Sequence, residues 1–251
     1  MVLYVVYRAS KDYSNRSLIP SRLRAIGCRQ INRSFWEFDR WKLSKVLAVL
    51  KGNQPILLRR AKEVKKRSIV GGRLVDLGSL TVVSFRLPNG GKERVRSFLR
   101  RSPCIRLCRR VYAFYQRFSQ FGLEDGLVGV DDLVDFVRGV GGEVSVFPNL
   151  VIFDGCSLVR LVDETRQRVD EEFFGVVQNC AGLYGKCVGN GCGQRQLDDA
   201  LRKFRRQFVS AKRKAVYYEK WMGVDFSRSM MRAYRALLKL RRYSMEQKLA
   251  V

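Results

Sequence analysis

Cys28-Arg29-Gln30-Ile31-Asn32-Arg33-Ser34-Phe35-Trp36-Glu37-Phe38 has a second counterpart in this chain, Cys104-Ile105-Arg106-Leu107-Cys108-Arg109-Arg110-Val111-Tyr112-Ala113-Phe114. The two stretches align without a gap at an offset of 76. Cysteine falls on cysteine, Ile31 on Leu107, Arg33 on Arg109, Trp36 on Tyr112 and Phe38 on Phe114. The same offset lays the apolar run Tyr4-Val5-Val6-Tyr7 on Leu80-Thr81-Val82-Val83. One register that relates two separated strand-like runs indicates an internal duplication.

The elements around the repeated stretch have the same order in both halves. Leu3–Tyr7 reads as a short buried strand. A helix to about Ile26 follows, with Ser14 or Asn15 as cap, Pro20 in its first turn, Leu18, Leu23 and Ile26 inward, and Gly27 as its stop. Residues 28–38 read as strand, bent into two short strands near Arg33. A helix over 40–51 turns Trp41, Val46, Leu47 and Leu50 inward, and 54–60 returns as a strand. In the second half, 80–87 is a strand, 92–101 a helix, 104–118 a strand, 131–138 a helix opening on Asp131 and Asp132, and 143–153 strand. The order β-α-β-β-α-β predicts an α+β fold: two tandem ferredoxin-like domains, 1–60 and 79–154, followed by a helical C-terminal segment, 155–251. Residues 61–78 read as a basic linker. A helix is expected from about 157 to 179. The glycine-rich 180–193 is expected to be a loop, and two amphipathic helices, 195–222 and one capped by Asp225, form a hairpin with basic outer faces.

Charge narrows the function. The chain has 49 Lys and Arg against 23 Asp and Glu, a net +26. Such an excess points to a polyanionic partner, DNA or RNA, including a ribosomal surface. It is uneven: residues 1–79 carry a net +13, 80–153 a net +4 and 154–251 a net +9. The candidate contact residues are Arg8, Arg29, Arg33, Arg59, Arg60, Lys62, Lys65, Lys66, Arg67, Arg109, Arg110, Arg205, Arg206, Lys212, Arg213 and Lys214, the last five on the outer face of the helix over 195–222. The arginines beside Phe35, Trp36 and Tyr112 admit a base-stacking sheet, but core packing of those rings is the preferred reading.

There is no histidine. That excludes Ser-His and Cys-His nucleophile pairs, histidine bases and histidine metal ligands. The seven cysteines are read first as structural or free thiols. Cys180, Cys187 and Cys192 also admit a disulfide, or zinc if Cys156 or a carboxylate joins. The loop Gly182 to Gly193 lacks a Lys-Ser/Thr ending and is not a P-loop. Asp131, Asp132 and Asp135, and Asp198-Asp199, are read as helix-start charges. No catalytic residue, metal or cofactor is expected. No apolar run is long enough for a membrane span and no secretory signal is read at the start, so a cytoplasmic protein is expected.

Two resemblances bear on these expectations. Leu3-Tyr4-Val5-Val6-Tyr7, the turn at Gly27 and Gln30-Ile31-Asn32-Arg33-Ser34-Phe35-Trp36-Glu37 resemble the ferredoxin-like subunit of CRISPR adaptation complexes and its nuclease-like relatives, over residues 3–60. In that family the first strand ends in an aspartate proposed as a metal ligand. Here the position is Arg8, and Ser84 in the second half, so the resemblance implies the fold and nucleic-acid association without the nuclease. Ser84-Phe85-Arg86-Leu87-Pro88, Arg94-Val95-Arg96, Arg109-Arg110-Val111-Tyr112 and Val224-Asp225-Phe226 are similar to the N-terminal region of chromate-resistance regulators, over residues 79–243. Phenylacetate-type repressors carry a similar unit. This implies a regulatory, nucleic-acid-binding role, although no winged-helix segment is visible. Together the readings give a non-catalytic nucleic-acid-binding protein with a regulatory or architectural role on DNA. The alternative is a ribosome- or RNA-associated factor. A degenerate nuclease ranks below both.

Overall fold

Continuous apolar runs make strands that bury both faces, and in this chain all the long strands join one sheet. The computed structural model describes residues 1–10, 17–88, 92–119, 127–190 and 192–249. The strands are β1 (Val2–Arg8), β2 (Arg29–Asn32), β3 (Phe35–Asp39), β4 (Gln54–Arg60), β5 (Ser68–Val70), β6 (Arg73–Asp76), β7 (Leu80–Arg86), β8 (Ile105–Cys108), β9 (Val111–Tyr115) and β10 (Glu143–Ile152). The helices are α1 (Ile19–Ala25), α2 (Leu43–Val49), α3 (Lys92–Arg100), α4 (Gln116–Ser119), α5 (Val130–Gly139), α6 (Gly155–Asn190), α7 (Gln194–Met222) and α8 (Ser227–Leu249). A 3-10 turn, Arg40–Lys42, precedes α2. The fold is mixed α and β, with an antiparallel sheet and a helical C-terminal segment. The chain forms two compact units, Met1–Val162 and Asp163–Val251.

In the first unit eight strands run antiparallel in the order β2-β3-β1-β4-β10-β7-β9-β8. The seam is β4 with β10, where Arg60, Arg59 and Leu58 face Leu150, Val151 and Ile152. Outward from the seam, each half repeats one order: fourth strand, first, third, second. The repeated stretch therefore forms an edge hairpin in each half, β2–β3 and β8–β9.

Five consecutive residues of β1, Leu3 to Tyr7, are buried. Successive side chains on a strand point to opposite faces. Leu3, Val5 and Tyr7 pack with Trp36, Phe38 and Leu57 beneath Ile19 and Leu23 of α1 and Val46 of α2. In the second half, Val83, Phe85 and Phe114 pack in the same way beneath Val95 and Phe98 of α3 and Leu133 and Val137 of α5. On the other face of β1, Tyr4 meets Phe35 at 5.9 Å and Phe147 of β10 at 5.8 Å between ring centres. Phe35 and Phe147 lie edge to face at 5.1 Å. The helix-free faces of the two halves thus turn toward each other, which keeps their apolar side chains from water.

Polar contacts join the halves at one end. Asn32 of β2 donates through Nδ2 to Ser84 Oγ of β7 at 2.9 Å. Arg8, at the end of β1, donates through Nε to the Leu107 carbonyl of β8 at 2.8 Å, and through Nη2 to the Arg106 carbonyl. Arg8 and Ser84 occupy equivalent positions at the repeat offset. Each reaches the second strand of the opposite half, as an approximate two-fold relation requires.

The second unit comprises α6 from Asp163 onward, α7 and α8. Phe173 of α6 packs on Phe208 of α7, and Arg168 donates to the Tyr218 hydroxyl. Ser244, late in α8, accepts a hydrogen bond from Gln194 at the start of α7. Tyr184 of α6 meets Tyr243 of α8. The three helices therefore run up, down and up. Tyr218, Trp221, Phe226, Ala233 and Leu240 fill the centre. No helix among the described residues is long and apolar enough to cross a membrane.

Several expectations are corrected. The stretch 104–118 is two strands and a short helix, because a tight turn at Arg109-Arg110 divides it. Trp41 is exposed, because it sits in the 3-10 turn ahead of α2 and so falls out of phase with Val46 and Leu50. Leu18 is exposed because α1 starts after it, and Leu47 is likewise outward. Ser14 and Asn15 lie outside the described residues. The linker 61–78 folds into the β5–β6 hairpin, whose turn glycines Gly71 and Gly72 both have positive φ, 55° and 74°. Such a turn suits the twist of a two-stranded ribbon.

Residues 180–190 are not a loop, because α6 continues to Asn190; position 191 lies outside the described residues. Helical glycine costs about 1 kcal/mol relative to alanine. That cost is offset here by burial of Cys180 and Cys187 and by the Tyr184–Tyr243 contact. A Cβ placed on Gly185 meets nothing within 4 Å. Gly185→Ala is therefore expected to stabilise the protein by about 0.5–1 kcal/mol, measured as a higher urea midpoint; a lower one would show that the helix is not formed there.

Candidate nucleic-acid interface

One basic site lies where the two edge hairpins are bridged by Arg8 and by the Asn32–Ser84 contact. Asn32 pairs with Phe35 and Cys108 with Val111, leaving Arg33-Ser34 and Arg109-Arg110 as two-residue turns. Asn32 Oδ1 accepts from the Arg33 backbone N–H at 2.7 Å, and the Tyr7 hydroxyl donates to the Arg33 carbonyl at 3.3 Å. Arg110 adopts φ 67°, a left-handed conformation uncommon for a residue other than glycine. Its carbonyl is held by the Phe85 N–H at 3.1 Å. The turns are anchored through their backbones, while the side chains of Arg33, Arg106 and Arg109 are exposed and Arg110 is half-buried. Among the described residues none of these four arginines is in an ion pair. Arg8 sits between the turns with its guanidinium on β8 carbonyls. It therefore clamps the two halves together.

A second basic group follows the seam. Arg59 and Arg60 are exposed at the end of β4, and Lys62, Lys65 and Lys66 are exposed beyond it. The root of the β5–β6 hairpin is clamped: Lys65 N donates to Ser79 Oγ at 2.8 Å, and Ser79 N to the Lys65 carbonyl at 3.0 Å. Gly78 has φ +75°, and a Cβ there would lie 2.8 Å from backbone atoms of Arg67 and Lys65. Arg67 is half-buried, its N–H on the Tyr115 hydroxyl at 3.3 Å and its Nη1 enclosed. It belongs to the clamp more than to the exposed charge. The hairpin presents Val70 and Val75 to solvent. Arg29 is exposed but paired with Glu37.

In the helical unit, Arg205, Arg206, Lys212 and Arg213 are exposed on α7. Lys214 is not: it is 4% exposed and its ammonium is paired with Glu172 of α6. The helical period explains the correction, since Lys214 lies three residues after buried Ala211 and four before buried Tyr218. Its charge suggested the surface, while its phase places it inside.

The base-stacking alternative fails on burial. Phe35 and Trp36 are both fully enclosed, and Tyr112 stacks on Phe85 at 5.8 Å. Cys187 and Cys192 form a disulfide linking the end of α6 to the start of α7, and Cys28, Cys104, Cys108 and Cys180 are buried free thiols. Burial raises the Cys108 thiol to about 12, against the lowering effect of Arg8 and Arg106, and the Cys180 thiol to about 11. Neither is a nucleophile near neutral pH. Among the described residues no group of three or more Cys, Asp or Glu is placed to hold a metal. Asp131 and Asp132 open α5, where Asp132 accepts the Gly129 N–H at 2.8 Å. Sequence reasoning missed Arg106. The signal for it was strand alternation in β8, where it is the one outward residue.

Neither protein-family models, nor curated proteins, nor solved structures give a match to this chain.

Proposed function

We propose that this is a non-catalytic, cytoplasmic nucleic-acid-binding protein, built from two ferredoxin-like units in tandem and a helical segment. The observation that carries the reading is the approach of the two edge hairpins, bridged by the Arg8 bonds to β8 and the Asn32–Ser84 bond. The two hairpins carry Arg33, Arg106, Arg109 and Arg110 on hydrogen-bonded backbones, none of them in an ion pair among the described residues, in a chain of net charge +26. Arginine donors on a rigid frame suit phosphate oxygens. Contacts of this kind position a polyanion without reading its sequence. The role favoured is architectural or regulatory on DNA, with a ribosomal RNA surface as the alternative. The partner that co-purifies from the native cell separates these, chromosomal fragments supporting the first and ribosomal particles the second.

The test is the salt dependence of binding. Each phosphate contact contributes about 0.9 to the slope of log affinity against log salt on duplex DNA. Arg33→Ala with Arg109→Ala is expected to flatten the slope by about 1–2 units. Lys62→Ala, Lys65→Ala and Lys66→Ala together, leaving the clamped Arg67 intact, report on the seam group separately. Unchanged slopes in both sets, with thermal stability also unchanged, would defeat the reading for this unit.

A further inference from the structure

A pocket in the helical unit carries chemistry that the phosphate-gripping arginines of the sheet do not. It has a volume of about 500 Å³ and is lined by Tyr184 of α6 and by Arg235, Leu238, Lys239, Arg242, Tyr243 and Glu246 of α8. That volume lies in the range of small-molecule sites. The α8 residues recur at three and four, so they form one continuous helix face.

The lining divides in two. Tyr184 and Tyr243 stand edge to face with ring centres 5.3 Å apart and, with Leu238, supply an apolar and aromatic wall. Arg235, Lys239 and Arg242 supply three cations against the single acid Glu246. Lys239 Nζ lies 4.4 Å from the Tyr184 ring centre, which joins the two parts of the wall. Among the described residues neither Arg235 nor Arg242 is in an ion pair. Like charges three and four residues apart on a helix repel, and an anion seated among them would relieve that repulsion. The Cys187–Cys192 disulfide lies one turn beyond Tyr184 and holds the end of α6 to α7.

We infer that this pocket binds a nucleoside phosphate, with the base against the tyrosine wall and the phosphate held by Arg235 and Arg242. An aromatic wall stacks any base, and guanidinium groups recognise phosphate oxygens. The ligand chemistry is the same whether the nucleotide is free or is the 5′ end of a strand. This inference is independent of the sheet-borne phosphate contacts, because the residues are different and the ligand is small.

The experiment is calorimetric titration of the whole protein with adenosine 5′-monophosphate, inorganic phosphate and adenosine. The monophosphate is expected to bind with Kd below about 1 mM and at least about tenfold more tightly than either fragment. Arg235→Ala with Arg242→Ala should weaken it by about tenfold or more, and Tyr184→Leu should weaken it while leaving phosphate binding in place. Arg33→Ala with Arg109→Ala should leave it unchanged. Unfolding curves confirm that the variants fold; if the double arginine variant does not, Arg242→Gln alone serves the same comparison. Competition by a 5′-phosphorylated oligonucleotide, but not by its unphosphorylated form, would identify a strand end as the source. Absence of such competition would identify a free nucleotide. No binding of the monophosphate, or equal binding by folded wild-type and variant proteins, would overturn the inference.

Discussion

Trp36→Ala is expected to cost about 3–5 kcal/mol, the range for removing a buried aromatic side chain, whereas Trp41→Ala, five residues away, should fall within about 0.5 kcal/mol of the parent. Trp36 is fully enclosed among Leu3, Val5 and Leu57 beneath α1 and α2. Its removal leaves a cavity where the first half's sheet meets both helices. Trp41 is 71% exposed, with Lys42 Nζ 4.9 Å from its ring centre. Urea unfolding followed by circular dichroism measures both. Comparable losses for the two variants would mean that the turn before α2 is packed differently, and that the helix presents another face to the sheet.

The second large effect is an asymmetry at the buried ion pair of the helical unit. Glu172→Leu should destabilise the protein by about 3 kcal/mol, near the lower end for breaking such a pair because the carboxylate keeps part of its surface in water. It takes the carboxylate partner from an enclosed ammonium. Lys214→Met with Glu172→Leu should recover most of that loss, since the apolar pair fills similar volume without a charge to desolvate. Lys214→Met should also leave the salt slope of nucleic-acid binding unchanged, whereas Arg205→Ala with Arg206→Ala should lower it if α7 touches phosphate. A salt slope that falls with Lys214→Met, without loss of stability, would return this lysine to the surface.

The outlines of the strands and helices were legible because each is a local pattern. The buried run Leu3–Tyr7, the strand Gln54–Arg60 and the stripe Ala211-Ala215-Tyr218 announce themselves by period. The repeat offset laid 28–38 on 104–114, yet 104–118 was read as one strand and the turn at Arg109-Arg110 that divides it was missed. Other features depend on contacts distant in sequence. Asn32 meets Ser84 and Arg8 meets β8, and no local window contains both partners. The closure of one face on the other follows from those contacts and stayed hidden. The helix through Gly182, Gly185 and Gly189 was obscured because propensity argues against it, and only packing of its cysteines and tyrosine outweighs that. The β5–β6 hairpin was masked by the lysines before it. At the candidate interface Arg33, Arg109 and Arg110 were identifiable one by one, Arg106 was not, and the contacts that bridge the two hairpins were out of reach.

The seam between β4 and β10 has a consequence for concentration and for change over time. Two halves held by a chain connection meet at an effective concentration on the order of millimolar, whatever the dilution. Two identical separate chains would part as they were diluted, and any substitution in them would appear on both sides of the axis at once. Here a substitution enters one side alone. Arginine at position 8 and serine at position 84 show the result: equivalent places, reciprocal contacts, unlike chemistry. The net +13 of residues 1–79 beside the +4 of residues 80–153 is the same freedom expressed across a whole surface.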